Sequence, residues 1–148
     1  MKIFIAANEY FNIFKFRQHL IRDLFSSLPA KSITSFANFD GYEKKIEING
    51  LNKININFKS RSINPFYKIL TLYKLKILLT NEKPDMVITY TFVCNFLFCL
   101  LNIFFKNKLI VNITGLGEMY LSETFLKKIV FKLYCRILNY SNLIICQN

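Results

Sequence analysis

The chain has 148 residues, 53% of them apolar and 20% charged, with a formal charge of +11. So much apolar sequence in a chain of this length excludes disorder and predicts one domain with a sizeable core. The charge favours a polyanionic neighbour, whether nucleic acid, anionic lipid or a phosphorylated small molecule, but the basic residues are dispersed and no nucleic-acid recognition motif is visible, so nucleic acid is set aside.

MKIFIAAN, at the start, is apolar on both faces and predicts a strand of a buried parallel sheet. FRQHLIRDLFSSL then predicts a helix beginning near Phe16, with Phe16, Leu20, Ile21, Leu24, Phe25 and Leu28 on its buried side and Pro29 ending it. His19 falls opposite that stripe and is expected in solvent with no chemistry assigned. KSITSFAN and KININFKS predict the second and third strands, separated by a weak, charged segment between Gly41 and Gly50.

Asn64 is placed to cap a helix from about Phe66 to Asn81, with Pro65 at its first position. DMVITYT predicts a central strand and VCNFLFCLLNIFF a nearly all-apolar helix. KLIVNIT predicts another strand, a helix follows from about Ser122 to Leu138, and NLIICQN is the last strand. Residues 86 to 105 carry no charge and are long enough to span a bilayer, but their polar positions fit a buried strand followed by a buried helix better. The alternation predicts a three-layer, Rossmann-like α/β domain with a mainly parallel sheet.

No CxxC occurs among the four cysteines, and Cys94 and Cys99 sit in apolar runs as core fillers, so neither a disulfide framework nor a metal site is expected. The first loop lacks GxGxxG, which argues against a dinucleotide-binding oxidoreductase. In open parallel sheets ligands bind outside the carboxyl ends of the strands. That rule selects Asn8 and Arg17 after the first strand, and Tyr90, Thr91 and Asn95 after the central one. Thr114, Gly115, Gly117 and Glu118 follow the next strand, where glycines permit close approach of a ligand and exposed amides can hold phosphate or sugar hydroxyls. No catalytic residue is assigned; Glu118 is the candidate for accepting a hydroxyl proton. Lys128, Lys132 and Arg136 form an i, i+4 row that could meet lipid headgroups.

Several of these stretches together resemble the N-terminal domain of the family 4-like glycosyltransferases of bacterial capsule and O-antigen assembly. They are the opening strand with Asn8, NIFKFR at 12 to 17, INP at 63 to 65, EKPDMVITYTFVCN at 82 to 95, NITGLG at 112 to 117 and LIICQN at 143 to 148. Ile88 stands where the family often has histidine, Val93-Cys94 replaces a frequent lysine-proline, and the basic residue ahead of INP is displaced to Arg61.

The resemblance implies the acceptor-side half of a GT-B enzyme over residues 1 to 148, without the C-terminal nucleotide-sugar-binding domain. It implies retaining transfer of a hexose or N-acetylhexosamine from a UDP- or GDP-sugar to a polyprenyl-diphosphate-linked glycan. The place would be the cytoplasmic face of the membrane, with peripheral contact to anionic lipid. No cofactor or catalytic metal is expected, and the half alone is expected to be inactive. Asn8, Arg17, Tyr90, Asn95, Gly115, Gly117 and Glu118 would line the cleft. The alternatives are a non-catalytic, membrane-associated scaffold partner of a complete transferase, and an oxidoreductase or epimerase fragment.

Overall fold

The computed structural model describes residues 1–28, 32–58, 64–115 and 125–147. Six parallel strands form one sheet. They are β1 (Lys2–Glu9), β2 (Ser32–Asn38), β3 (Leu51–Asn55), β4 (Met86–Tyr90), β5 (Lys108–Ile113) and β6 (Leu143–Cys146). The α-helices among the described residues are α1 (Tyr10–Phe16), α2 (Gln18–Ser27), α3 (Pro65–Glu82), α4 (Phe92–Phe105) and α5 (Phe125–Ile137). The strand order is β3-β2-β1-β4-β5-β6, so the chain reverses its direction of travel across the sheet between β1 and β4.

The alternation of strand and helix is as the sequence predicts. β1 and β4 are the central strands, and their residues are buried on both faces because helices cover both. Ile3, Ile5 and Ala7 of β1 meet Tyr10, Ile13 and Ile21 of α1 and α2 on one side. Phe4 and Ala6 face the other side, where Leu75, Leu97, Phe98 and Tyr134 of α3, α4 and α5 close the larger core. Cys94 and Cys99 are fully buried there, as small fillers. The amino end of β1 is tied to β4 by Asp85, whose carboxylate accepts from Lys2 N at 2.7 Å while its own N–H donates to Lys2 O at 2.9 Å.

α3 starts as its sequence dictates. Asn64 Oδ1 accepts from the N–H of Phe66 at 3.0 Å, and Pro65 occupies the first turn, where no amide is needed. Residues 86 to 105 divide into β4 and α4, and no helix among the described residues is long and apolar enough to cross a membrane.

Three expectations need correction. The first helix begins at Tyr10, not near Phe16, and it breaks at Arg17 into two pieces. Neither Pro nor Gly stands at the break, so no local signal announces it. Phe16, at the end of the first piece, and Leu20, in the second, both assigned to the buried side, are 57% and 37% exposed. β3 ends at Asn55 and starts earlier than the KININFKS pattern suggests, although the N–H of Ile56 still donates to Ala37 O at 3.0 Å.

Candidate functional site at the sheet's direction change

The carboxyl ends of β1 and β4 lie side by side at the reversal of strand order, the place where open α/β sheets hold ligands. Asn8, the penultimate residue of β1, is half-buried there. Its Oδ1 accepts from the Thr91 hydroxyl at 2.7 Å and from the Cys94 thiol at 3.5 Å. Burial pushes the Cys94 thiol up to about 12, so it remains a donor and is no nucleophile at neutral pH. Both donors converge on this one oxygen of the Asn8 amide.

Thr91 joins β4 to α4 with φ 72° and ψ 148°, a conformation that side chains with a branched Cβ strongly disfavour. It makes no side-chain cap to α4; its hydroxyl goes to Asn8 instead. The strained backbone therefore sits at the direction change itself.

Arg17 occupies the break between α1 and α2, and its guanidinium carbon lies 4.0 Å from the centre of the Tyr90 ring. Tyr90 is buried and forms a flat apolar floor for the half-buried cation. Burial lowers the Arg17 pKa, which the neighbouring Tyr90 raises in part; burial raises that of Tyr90, which Arg17 lowers in part. One guanidinium nitrogen donates to Gln147 Oε1 at 2.9 Å. Gln147 is itself positioned by its N–H, which donates to Ile113 O at 2.9 Å and extends the pairing of β6 with β5. Arg17 makes no ion pair with a carboxylate among the described residues. A desolvated, stacked guanidinium of this kind favours a planar or tetrahedral oxyanion.

Thr114 and Gly115, beyond the end of β5, are exposed, and Gly115 has φ 146°. No atom lies within 4 Å of where its Cβ would be, so backbone conformation and not crowding makes glycine suitable there. Gly117 and Glu118 lie outside the described residues.

Asn95 takes a different place from the other candidates. It is 1% exposed, beneath the rim in the core between α4, β5 and α5. Its amide donates to Asn112 O at 2.9 Å and to the Tyr134 hydroxyl at 3.2 Å, whereas Oδ1 has no partner. It supports the start of α4 from below.

Three neighbours were not singled out by sequence. Gln147 follows a strand end and the carboxyl-edge rule would have selected it. Cys94 looked like simple filler. Lys68, on the first turns of α3, donates to Phe58 O at 2.9 Å, and its pKa is lowered by burial and partly restored by Cys94. Nothing in its local sequence marks it out.

Among the described residues, no group of three His, Cys, Asp or Glu side chains is placed to hold a metal ion. A shallow cleft of about 300 Å³ lined by Asn102, Lys106, Tyr140 and Asn142 opens at the opposite, amino end of β5 and β6, away from these groups.

No protein-family model and no curated protein matches the chain. Among solved structures, it is similar to a UDP-GlcNAc 2-epimerase from Methanocaldococcus jannaschii, with a TM-score of 0.67 and 20% identity. The match covers 100% of this chain and 40% of the epimerase chain. At that identity the likeness establishes fold: a Rossmann-like lobe of the GT-B type.

Proposed function

We propose that this chain is the acceptor-side lobe of a glycosyltransferase that uses a sugar nucleotide, working against a second, donor-binding lobe supplied by further sequence or by a separate chain. The observation that carries this reading is the half-buried Arg17 guanidinium, stacked on Tyr90 beside the Asn8–Thr91 bond at the direction change of the sheet. A sugar nucleotide presents a diphosphate that matches such a cation. The likeness of the fold to an enzyme named for UDP-GlcNAc supports the same ligand class. The sequence resemblance narrows the reaction to retaining transfer of a hexose or N-acetylhexosamine onto a lipid-linked glycan at the cytoplasmic membrane face.

In this reading the acceptor hydroxyl rests against the rim formed by Asn8, Thr91, Thr114 and Gly115. Its oxygen bonds to the anomeric carbon as the bond from that carbon to the diphosphate oxygen breaks. Arg17 and exposed amides near Gly115 oppose the charge that grows on the departing diphosphate. The hydroxyl proton passes to a base, for which Glu118 is the proposed residue, or to the leaving phosphate. Held on one rim, the acceptor needs only the donor lobe to close over it, which is where orientation contributes to rate.

The epimerase likeness favours one rival, a lobe that helps invert a sugar nucleotide at C2. The deciding experiment mixes the chain with a donor-binding lobe, a UDP-sugar and a polyprenyl-diphosphate-linked acceptor, and follows products by mass spectrometry and NMR. Transfer is expected from the mixture and negligible turnover from the chain alone. Epimerised nucleotide without transfer would establish the rival. Tight association of the two partners with no product at all would make the chain a scaffold.

A further inference from the structure

Asn102 lies on the last turn of α4 and is only 8% exposed. Its side chain is fully used. Nδ2 donates to Asn107 O at 3.2 Å and to Tyr140 O at 2.7 Å, while Oδ1 accepts from Asn107 N at 2.8 Å. One buried carboxamide thereby ties together α4, the turn into β5 and the short 3-10 turn Leu138–Tyr140. A second tie runs beside it: Asn142 N donates to Leu109 O at 2.8 Å, and Asn142 Oδ1 accepts from Leu109 N at 2.8 Å. These bonds fix both walls of the cleft of about 300 Å³ at the amino end of β5 and β6.

The groups left over along those walls are uncharged and polar. Among the described residues, the carboxamides of Asn107 and Asn139, the Nδ2 of Asn142 and the Tyr140 hydroxyl make no hydrogen bond within the chain. The Tyr140 ring is 47% exposed. Lys106 is the only charged residue lining the cleft, and it is the left-handed cap that ends α4. There its charge answers the partial negative charge of the helix end, so it does not call for an anion.

We infer that this cleft binds a neutral glycan, as a carbohydrate site separate from the rim at the carboxyl ends of the strands. A carboxamide offers a donor and an acceptor side by side, which matches hydroxyls that both give and accept hydrogen bonds. The half-exposed ring of Tyr140 supplies an apolar face for the C–H side of a pyranose, with its own hydroxyl at the edge. An apolar ligand would bury these carboxamides without partners, and an anion would meet the carboxyl end of α4. The cleft is at the small end of ligand pockets and shallow, which suits a short stretch of a longer sugar chain. Its walls are held before any ligand arrives, so little is lost to ordering them. The inference stands without the transfer reading, because Asn8 and Arg17 lie at the opposite end of the sheet and take no part in it.

The test titrates the isotope-labelled chain with maltotriose and with triacetylchitotriose and follows backbone and side-chain amide signals by NMR. Saturable shifts are expected at Asn107, Asn139, Tyr140 and Asn142 with at least one of the two. Trigalacturonic acid and tetraglycine should leave those signals in place. N139A/Y140A removes exposed side chains and keeps the backbone carbonyl that Asn102 holds. It should melt as the parent does and bind about ten-fold more weakly, the loss of roughly one hydrogen bond and one ring contact. Asn139→Ala alone, with Tyr140 in place, should weaken binding about three-fold. The inference fails if neither neutral trisaccharide moves these signals saturably, if the shifts gather at Thr91 and Gly115 instead, or if both variants bind as the parent does. It fails equally if trigalacturonic acid or tetraglycine binds the cleft as tightly, which would make it an anion site or a peptide site.

Discussion

The hydroxyl of Thr91 and the Oδ1 of Asn8 meet at 2.7 Å, and this bond joins the carboxyl ends of β4 and β1 where the strand order reverses. The two residues are 83 positions apart in the chain. Thr91 holds this contact from a backbone conformation that glycine adopts far more easily, at φ 72° and ψ 148°. Strain of this kind costs about 1–3 kcal/mol and persists where the surroundings fix it.

Two substitutions separate strain from bond. Thr91→Val keeps the branched Cβ, removes the donor and leaves Asn8 with only the Cys94 thiol; it should cost about 1–2 kcal/mol. Thr91→Gly removes the donor and relieves the backbone together, so its cost should be at least about 1 kcal/mol smaller. Urea denaturation of both variants measures the difference. Equal losses would mean that the backbone at Thr91 stores no strain.

Arg17 is expected to act by charge and shape together. Arg17→Lys retains the charge but loses the flat stacking on Tyr90 and the fork that reaches Gln147. In the proposed two-lobe transferase it should lower kcat/KM at least ten-fold, about 1.4 kcal/mol of lost transition-state stabilisation. Tyr90→Leu should do similar harm by removing the floor on which the guanidinium lies. Full activity in the lysine variant would reduce Arg17 to a structural contact with Gln147.

Asn95 tests the buried end of the site. Asn95→Asp puts a carboxylate against Asn112 O, where the amide now donates, and beside the Tyr134 hydroxyl rather than a cation. It should destabilise the fold by about 3 kcal/mol or more at neutral pH, and by less as acid protonates the new carboxyl. Asn95→Leu removes the unpartnered Oδ1 with the donor and should be milder. Denaturation midpoints at two pH values, compared with the parent, distinguish these outcomes.

A last prediction concerns alkaline pH. Tyr10 is completely buried, donates to Ser35 O at 2.9 Å, and burial pushes its pKa up to about 12 from the ordinary 10. The folded state therefore keeps the phenolic proton that the unfolded chain begins to release at pH 10. The stability linked to Tyr10 is present in full below pH 10 and is lost as pH rises toward 12, at up to about 1.4 kcal/mol per pH unit. Tyr10→Phe lacks this dependence, so its deficit relative to the parent should shrink between pH 10 and 12. A constant deficit across that range in chemical denaturation would contradict the assigned burial effect.

Much of this molecule is legible in local sequence. Runs such as IFIAA and MVITY are apolar on both faces, which requires cover on both sides of a sheet. NPFYKIL carries its own helix start in Asn64 and Pro65. The carboxyl-edge rule also selected Asn8, Arg17, Tyr90 and Thr91 without coordinates, because strand ends are readable wherever a buried run gives way to polar residues. The break at Arg17 was not readable. Neither Pro nor Gly marks it, and the contact that Arg17 makes there is with a tyrosine ring on another element. The same holds for Asn95: its position after a strand suggested the rim, whereas helical phase within α4 turned it inward onto Asn112 and Tyr134.

The sequence by itself determined the alternation of strands and helices, the apolar core and the large positive charge, since each follows from residue types at short spacing. Tertiary structure decided that β1 neighbours β4, that Asn8 meets Thr91 and Cys94, and that Arg17 lies on Tyr90. These relations join residues far apart in the chain. They are set by which sheet edges and helix faces pack together, a choice made by the whole core and written in no single segment.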